Sequence, residues 1–216
     1  MFETLSDCFR GKILHNGLTK LFIALLVSIM LVAEAAAHPM RGGHSDYSFF
    51  NGFLHPWQGI DHLVTMIAIG IWVSQYSRNH FRWLLVAGTF SGMMAVAFAS
   101  SYWYGLSFGY RVENGIGIGL MILGLILVMA CFSAAVMVPL VAAMAVFHGA
   151  AHAAEIAQDL SASWFGVGLI SASLMLQYIG FACGRLWQGQ AYPKFFLRCL
   201  TGISALFMGG IKVFFS

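Results

Sequence analysis

Charged side chains are scarce in this chain: Asp, Glu, Lys and Arg make up 9% of its 216 residues, whereas an ordinary soluble domain carries about a quarter. Hydrophobic residues make up 60%. This number of charged residues is too small to cover the surface of a soluble domain. The composition therefore indicates an integral membrane protein in contact with lipid. The formal net charge of +3 comes from scattered Lys and Arg residues. Because they form no basic stripe, nothing supports nucleic-acid binding.

Cysteine is also rare. The four cysteines, Cys8, Cys131, Cys183 and Cys199, form no CxxC pair and no dense framework, which argues against a zinc knuckle and a disulfide scaffold. A nucleotide fingerprint is missing as well, because the Gly-x-Gly-x-Gly run from Gly115 has no strand before it. We therefore expect free thiols, no prosthetic group and no use of a nucleotide.

The first 37 residues are predicted to be a cleavable signal peptide. Basic residues precede a thirteen-residue apolar run, Leu21 to Ala33, and an A-x-A-like site follows at residues 35–37. Thirteen helical residues rise about 20 Å, less than the roughly 30 Å hydrocarbon core, which favours cleavage over a retained helix. Residues 38–216 would then form one transmembrane domain that begins at His38, on the periplasmic side of a bacterial inner membrane.

Six apolar runs of about the length of a membrane-spanning helix follow the leader. The predicted spans are Phe49 to Tyr76, Trp83 to Tyr102, Val112 to Ala130, Ser133 to Ala151, Ser163 to Gly184 and Phe195 to Phe214. The predicted fold class is therefore all-α: a polytopic membrane protein with six transmembrane helices after an N-terminal signal peptide. Three helices in each half also permit an inverted repeat, although the two halves show no sequence match.

Lys and Arg accumulate in cytoplasmic loops of membrane proteins. With the mature N-terminus in the periplasm, five basic residues lie on the inner side and three on the outer side. The inner set is Arg78, Arg82, Arg185, Lys194 and Arg198, and the outer set is Arg41, Arg111 and Lys212. The bias agrees with an exported N-terminus and a multi-pass protein of the inner membrane.

Two polar clusters interrupt the apolar spans, one in the first predicted helix and one in the fourth. They comprise His55, Asp61 and His62, and then His148, His152 and Glu155. Ionisable side chains inside a membrane are costly and usually functional. The predicted topology places both clusters at the outer ends of their helices, so we interpret them as one site.

The fourth predicted helix presents its polar residues on one face. His148 and His152 are four residues apart and Glu155 lies three further on, the spacing of neighbours on an α-helix. Two such imidazoles can bind one metal ion, and the carboxylate can bind it, orient a histidine or balance charge.

The first predicted helix contributes His55 and His62, which also share a face, while Asp61 points about 100° away from His62. Asp61 is therefore suited to orienting a ligand. Pro56 fits the first turn of this helix. No basic residue lies at the depth of Asp61 in the first four helices, and Glu113 is predicted to pair with Arg111 outside the site. The predicted metal ligands are His62, His148 and His152, followed by His55 and Asp61, with Glu155 as a ligand or for charge balance.

Imidazole and carboxylate without thiolate suit Ni²⁺, Co²⁺, Zn²⁺ or Fe²⁺ rather than Cu⁺. The ligand types alone do not decide between these ions. Because imidazole must be neutral to bind metal, uptake should weaken as the pH falls towards about 6.5, the reference value for histidine.

These motifs resemble those of a known family. The pattern His55-Pro-x-x-Gly-x-Asp-His-x-x-x-Met66 resembles the first-helix signature of the HupE/UreJ family, and Phe147-His-Gly-x-x-His-x-x-Glu155 is similar to its fourth-helix signature. The resemblance implies a secondary permease for nickel, sometimes cobalt, linked to hydrogenase, urease or cobalamin pathways. Ala150 and Ala153 depart from the family pattern by replacing a histidine and a glycine, so one potential ligand is missing.

The predicted function is nucleotide-independent transport of a divalent transition metal, above all nickel, towards the cytoplasm. An intramembrane zinc metallohydrolase is the alternative, in which the same cluster holds Zn²⁺ with an open position and a carboxylate acts as general base. A scaffold whose polar cluster only joins the first and fourth helices is a third possibility. Metal accumulation in cells separates the three, because only a permease raises it. The sequence does not indicate an oligomeric state.

Overall fold

The computed structural model describes residues 45–76, 79–109, 111–130, 133–156, 160–187 and 191–215. This part of the chain contains seven α-helices and no strand, which confirms the all-α prediction. The helices are α1 (Ser45–Gln58), α2 (Ile60–Tyr76), α3 (His80–Tyr104), α4 (Arg111–Met129), α5 (Ala134–Glu155), α6 (Ala162–Leu186) and α7 (Ala191–Phe215). The predicted signal peptide, residues 1–37, lies outside the described residues.

Five of these helices, α3 to α7, have the length and apolar composition of a membrane span. Large apolar side chains on their outer surfaces are exposed, among them Leu125 in α4 and Phe207 in α7. Lipid is the environment that accepts such surfaces, and helices satisfy their own backbone hydrogen bonds there. The chain is therefore a multi-pass membrane protein.

The first predicted span, Phe49 to Tyr76, is not one helix. It is divided at Gly59 into α1 and α2, of 14 and 17 residues, and each is shorter than the roughly 20 residues that a spanning helix needs. Pro56 lies in the last turn of α1, not in a first turn as the sequence predicted. Proline has no N–H for the helical ladder, so the Gly52 carbonyl lacks its helical partner and the last turn of α1 is weakened. The backbone N–H of Leu63 then donates to the Gly59 carbonyl at 2.9 Å and starts α2.

The helices associate in pairs. Both α1 and α2 pack along α6, α3 packs along α5, and α4 packs along α7. Counting α1 and α2 as one span, the first three spans pack on the fifth, fourth and sixth. If the first span is exchanged with the fourth, the second with the fifth and the third with the sixth, the same three pairs result. An inverted repeat is expected to show this symmetry. The two motif-bearing spans, the first and the fourth, then occupy equivalent positions.

Glycines allow these pairs to approach closely. A Cβ atom at Gly70 would overlap the Gln177 carbonyl, and one at Gly180 would overlap the Ile67 carbonyl, so the backbones of α2 and α6 are in contact. In α4 and α7, Gly124 and Gly202 each face the other's carbonyl oxygen. Helix packing therefore accounts for the small residues noted in the sequence.

Candidate metal site

The break at Gly59 places two histidines around one corner of the backbone. His55 lies in the last turn of α1, and His62 lies in the first turns of α2. Their ring centroids are 6.0 Å apart. The two histidines were predicted to lie on one face of a continuous helix, but they meet because the chain turns between them.

A third histidine comes from α5. The ring centroid of His152 lies 4.7 Å from that of His55 and 4.6 Å from that of His62. One ring nitrogen from each of the three lies within 4.8 Å of those of the other two. Since metal–nitrogen bonds to histidine are about 2.0–2.1 Å long, small side-chain movements suffice to bring all three onto one ion. We call His55, His62 and His152 the three-histidine cluster.

Glu155 lies at the solvent-facing edge of this cluster. Its Oε2 atom is 3.0 Å from His55 Nε2 and 3.5 Å from His152 Nδ1. An ionised carboxylate only accepts hydrogen bonds, so the contact requires His55 to carry its proton on Nε2 and leaves the Nδ1 lone pair available. Glu155 is thus placed to orient a histidine ligand, one of the roles the sequence suggested.

His148 is set apart from the three-histidine cluster. It is fully buried one turn before His152, with its ring centroid 5.2 Å from that of His62. Its Nδ1 atom donates to the Met144 carbonyl at 2.8 Å, so the proton lies on Nδ1 and Nε2 presents a lone pair. The geometry therefore groups His55, and not the more highly ranked His148, with His62 and His152.

Asp61 connects His62 to the last helix. Its Oδ1 atom is 2.9 Å from His62 Nδ1 and its Oδ2 atom is 3.0 Å from Lys212 Nζ. Lys212 also donates a hydrogen bond to Glu113 at the start of α4. No cation was expected at the depth of Asp61 within the first four predicted helices, and Lys212 lies in the last one. Glu113 was predicted to pair with Arg111 outside the site, whereas Lys212 links it to Asp61.

The imidazole nitrogens of this region are short of hydrogen-bond partners. Both ring nitrogens of His62, both of His152 and Nε2 of His148 are buried and make no aligned hydrogen bond among the described residues. The contacts of His62 with Asp61 and of His152 with Glu155 are close approaches without that alignment. A buried polar atom without a partner costs about 1–3 kcal/mol. Each neutral ring carries one N–H and one lone pair, so these three neighbouring rings can offer three lone pairs to a cation.

A cavity of about 440 Å³ opens beside the cluster. It lies between the end of α3, the start of α4 and the end of α5, and Glu113 and Glu155 are both part of its wall. Two carboxylates in a cleft whose other walls are mostly apolar raise the local concentration of cations. The cavity is a suitable entrance for a metal ion.

Comparison with known proteins gives two matches. The family described as HupE / UreJ protein matches residues 25–211. The protein described as Protein HupE, from Rhizobium leguminosarum bv. viciae, is 26% identical over 172 residues, which cover 74% of this chain and 82% of that protein. No solved structure matches significantly.

Proposed function

The chain belongs to the HupE/UreJ family, and we propose that it carries Ni²⁺ across the bacterial inner membrane through the three-histidine cluster. The family is one of nickel and cobalt transport, so metal transport in general is the function of this membrane protein. The identity of the ion, the position of its site and the direction of transport are the proposed parts.

The observation that carries the proposal is the convergence of three elements on one point. His55 from α1, His62 from α2 and His152 from α5 bring ring nitrogens within 4.8 Å of one another, although α5 is remote from α1 and α2 in the chain. Two of these rings are buried and have no aligned hydrogen bond among the described residues. A scaffold that only joined helices would gain more from polar groups that satisfied each other.

Each polar side chain then has a proposed role. The three-histidine cluster binds the ion, Asp61 and Glu155 orient the imidazoles and offset the positive charge, and His148 receives the ion one turn deeper in α5. Two observations support this role for His148: its hydrogen bond to Met144 leaves a lone pair on Nε2, and its ring centroid lies 5.2 Å from that of His62. Stepwise transfer between imidazoles lowers the cost of moving a divalent cation through an apolar bundle.

Imidazole and carboxylate suit both nickel and zinc, so nickel is proposed over zinc because the family handles nickel and cobalt. The family also favours transport over the intramembrane metallohydrolase alternative. By the family's name, the ion would supply a hydrogenase or urease, or alternatively a cobalamin pathway. Transport is proposed to be secondary, since the sequence has no nucleotide-binding motif.

The test is metal accumulation in a bacterial strain that lacks its own nickel uptake. Expression of the chain should raise cell-associated nickel above that of a vector control, and excess cobalt should reduce nickel uptake more than excess zinc does. Accumulation of zinc alone would reject nickel as the substrate. No accumulation of any of the three ions, with protein present in the membrane, would reject transport of these ions through the cluster.

A further inference from the structure

Lys212 is a cation that the described structure joins to the metal cluster, and the proposed transport mechanism does not use it. It lies in the last turn of α7 with its side chain 20% exposed. Its ammonium group pairs with Asp61 of α2 and with Glu113 of α4. Three helices that are distant in the chain therefore meet at one ammonium group.

Glycines bring Lys212 to this position. A Cβ atom at Gly117 would lie 2.9 Å from the Gly209 carbonyl and 3.0 Å from the Cβ of Lys212, closer than side chains normally pack. One at Gly209 would lie 2.7 Å from the Met121 side chain. The last turns of α7 can approach the start of α4 only because both positions lack a side chain.

The two oxygens of Asp61 have different neighbours: Oδ1 faces His62 and Oδ2 faces Lys212. A change in the ion pair between Lys212 and Asp61 therefore affects His62, a proposed ligand in the three-histidine cluster. With neutral imidazoles, the three carboxylates Asp61, Glu113 and Glu155 and the one ammonium group leave two negative charges. This charge matches a divalent cation.

We propose that Lys212 is a built-in counter-cation that competes with the transported ion for Asp61 and Glu113. Without metal, its ammonium group holds both carboxylates and keeps the site from an excess of negative charge. With metal bound, the ion draws on the same carboxylates, and the repulsion between ion and ammonium group weakens binding and speeds release. Lys212 is thus a positioning residue that lowers the affinity for the ion and increases the rate of transport. This inference rests on the proposed function.

The test replaces Lys212 with Met, which keeps an unbranched apolar side chain and removes the charge. Nickel binding to the purified full-length protein in lipid nanodiscs is measured by calorimetry, and uptake is measured in cells. The Lys212→Met protein should bind Ni²⁺ at least tenfold more tightly, because the repulsion between a divalent ion and a nearby unit charge at an effective dielectric constant of about 20 exceeds the free energy of a tenfold change in affinity. Its maximal uptake per molecule should fall, because the ion leaves more slowly.

Two variants serve as controls. Lys212→Arg keeps the charge and should bind nickel within about threefold of the unmodified protein, a difference of less than about 0.7 kcal/mol. Lys194→Met removes a lysine from the opposite end of the same helix and should change neither affinity nor uptake. A nickel affinity of Lys212→Met that is unchanged or weaker, in protein of normal abundance, would overturn the inference.

A second variant covers the case in which Lys212→Met does not accumulate. Lys212→Gln removes the charge but keeps a polar side chain that can donate hydrogen bonds to Asp61 and Glu113, so this protein should accumulate and should also bind nickel at least tenfold more tightly. If the Lys212→Gln protein accumulates and its nickel affinity is unchanged or weaker, the charge argument fails. If the unmodified protein binds nickel and the variants bind it equally well, only the inference is wrong. If the unmodified protein does not bind nickel, the proposed function is wrong as well.

Discussion

His62 lies at the centre of the polar groups of the site and is close to three of them. Its ring centroid is 4.6 Å from that of His152 and 5.2 Å from that of His148, and its Nδ1 atom is 2.9 Å from Asp61. Replacement of His62 or His152 with Ala should each remove most nickel uptake, while the amount of protein in the membrane changes little. Replacing both should cost little more than either alone, because ligands of one ion act as a unit. Uptake normalised to membrane protein is the measurement.

His80→Ala is the matched control for this experiment. His80 lies at the start of α3, where its ring contacts Phe181, away from the three-histidine cluster, so uptake should be preserved. If the losses of uptake at His62 and His152 were additive and followed lower protein abundance, the polar cluster would only stabilise the packing of the helices. Unpairing buried polar groups in lipid destabilises a bundle without any reference to metal.

At this scale the sequence identified most of the polar groups but not their arrangement. The spacing of His148, His152 and Glu155 is a local property of one helix, so a 3.6-residue period sufficed to place them on one face. No sequence spacing connects Lys212 with the site, because its partners Asp61 and Glu113 lie in other helices. An intramembrane lysine near a helix end looks the same in sequence whether it reaches the interface or an internal carboxylate. Only the packing of α7 decides between them.

The junction between α1 and α2 is the element on which the geometry of the site depends. A Cβ atom at Gly59 would lie 2.7 Å from Nδ1 of His62 and 3.0 Å from Oδ1 of Asp61. Gly59→Ala should therefore displace the imidazole or the carboxylate and weaken nickel affinity by about 10- to 100-fold, the range typical of changes next to metal ligands. Calorimetric titration of the purified variant with Ni²⁺ is the measurement.

Gly92→Ala in α3 provides the comparison, because a Cβ atom there meets nothing within 4 Å. It should bind nickel like the unmodified protein. Full nickel affinity in the Gly59→Ala protein would show that the His62–Asp61 contact does not matter for binding. It would also remove the reason for assigning the junction a role in the site.

The division of the first predicted span could not be deduced from its apolar composition. A run such as residues 49–76 is apolar enough to cross a membrane whether or not it contains a break. Proline and glycine near its start were visible, but Pro56 is equally acceptable in a first turn and near a helix end. Contacts with α6 decide the matter, because both α1 and α2 pack against that helix with their own glycine partners, Gly168 for α1 and Gly180 for α2.

At the scale of the whole molecule, five of the predicted spans correspond to helices long and apolar enough to cross a membrane. The positions of these five spans followed from hydropathy because lipid imposes a nearly fixed length on each one. The pairing of the first three spans with the fifth, fourth and sixth did not follow. It depends on glycine contacts between remote helices, such as Gly70 with Gln177 and Gly124 with Gly202, and one sequence does not reveal which partners meet.

The ion pairs of Lys212 bear on the orientation of the chain in the membrane. Lys212 was predicted to be an outer positive charge, but its ammonium group is paired with Asp61 and Glu113 inside the bundle. A neutralised lysine contributes little to the preference of basic loops for the cytoplasm. Without it, five inner basic residues stand against Arg41 and Arg111 on the outer side. We therefore predict that a reporter fused after Lys194 is cytoplasmic and that one fused after Asp159 is periplasmic.

The reporter fusions are repeated with Lys212→Met to test this argument. Because the charge of Lys212 is used within the site, its removal should leave both reporters on their predicted sides. Removing Arg78 and Arg82 together, which flank the first cytoplasmic loop in this topology, should by contrast lower the fraction of correctly oriented protein. Reporters on the opposite sides in the unmodified chain would place the three-histidine cluster and its cavity at the cytoplasmic face. In that case the cluster would be the exit for an imported ion or the entrance for an exported one, and uptake from the periplasm could not begin at His55.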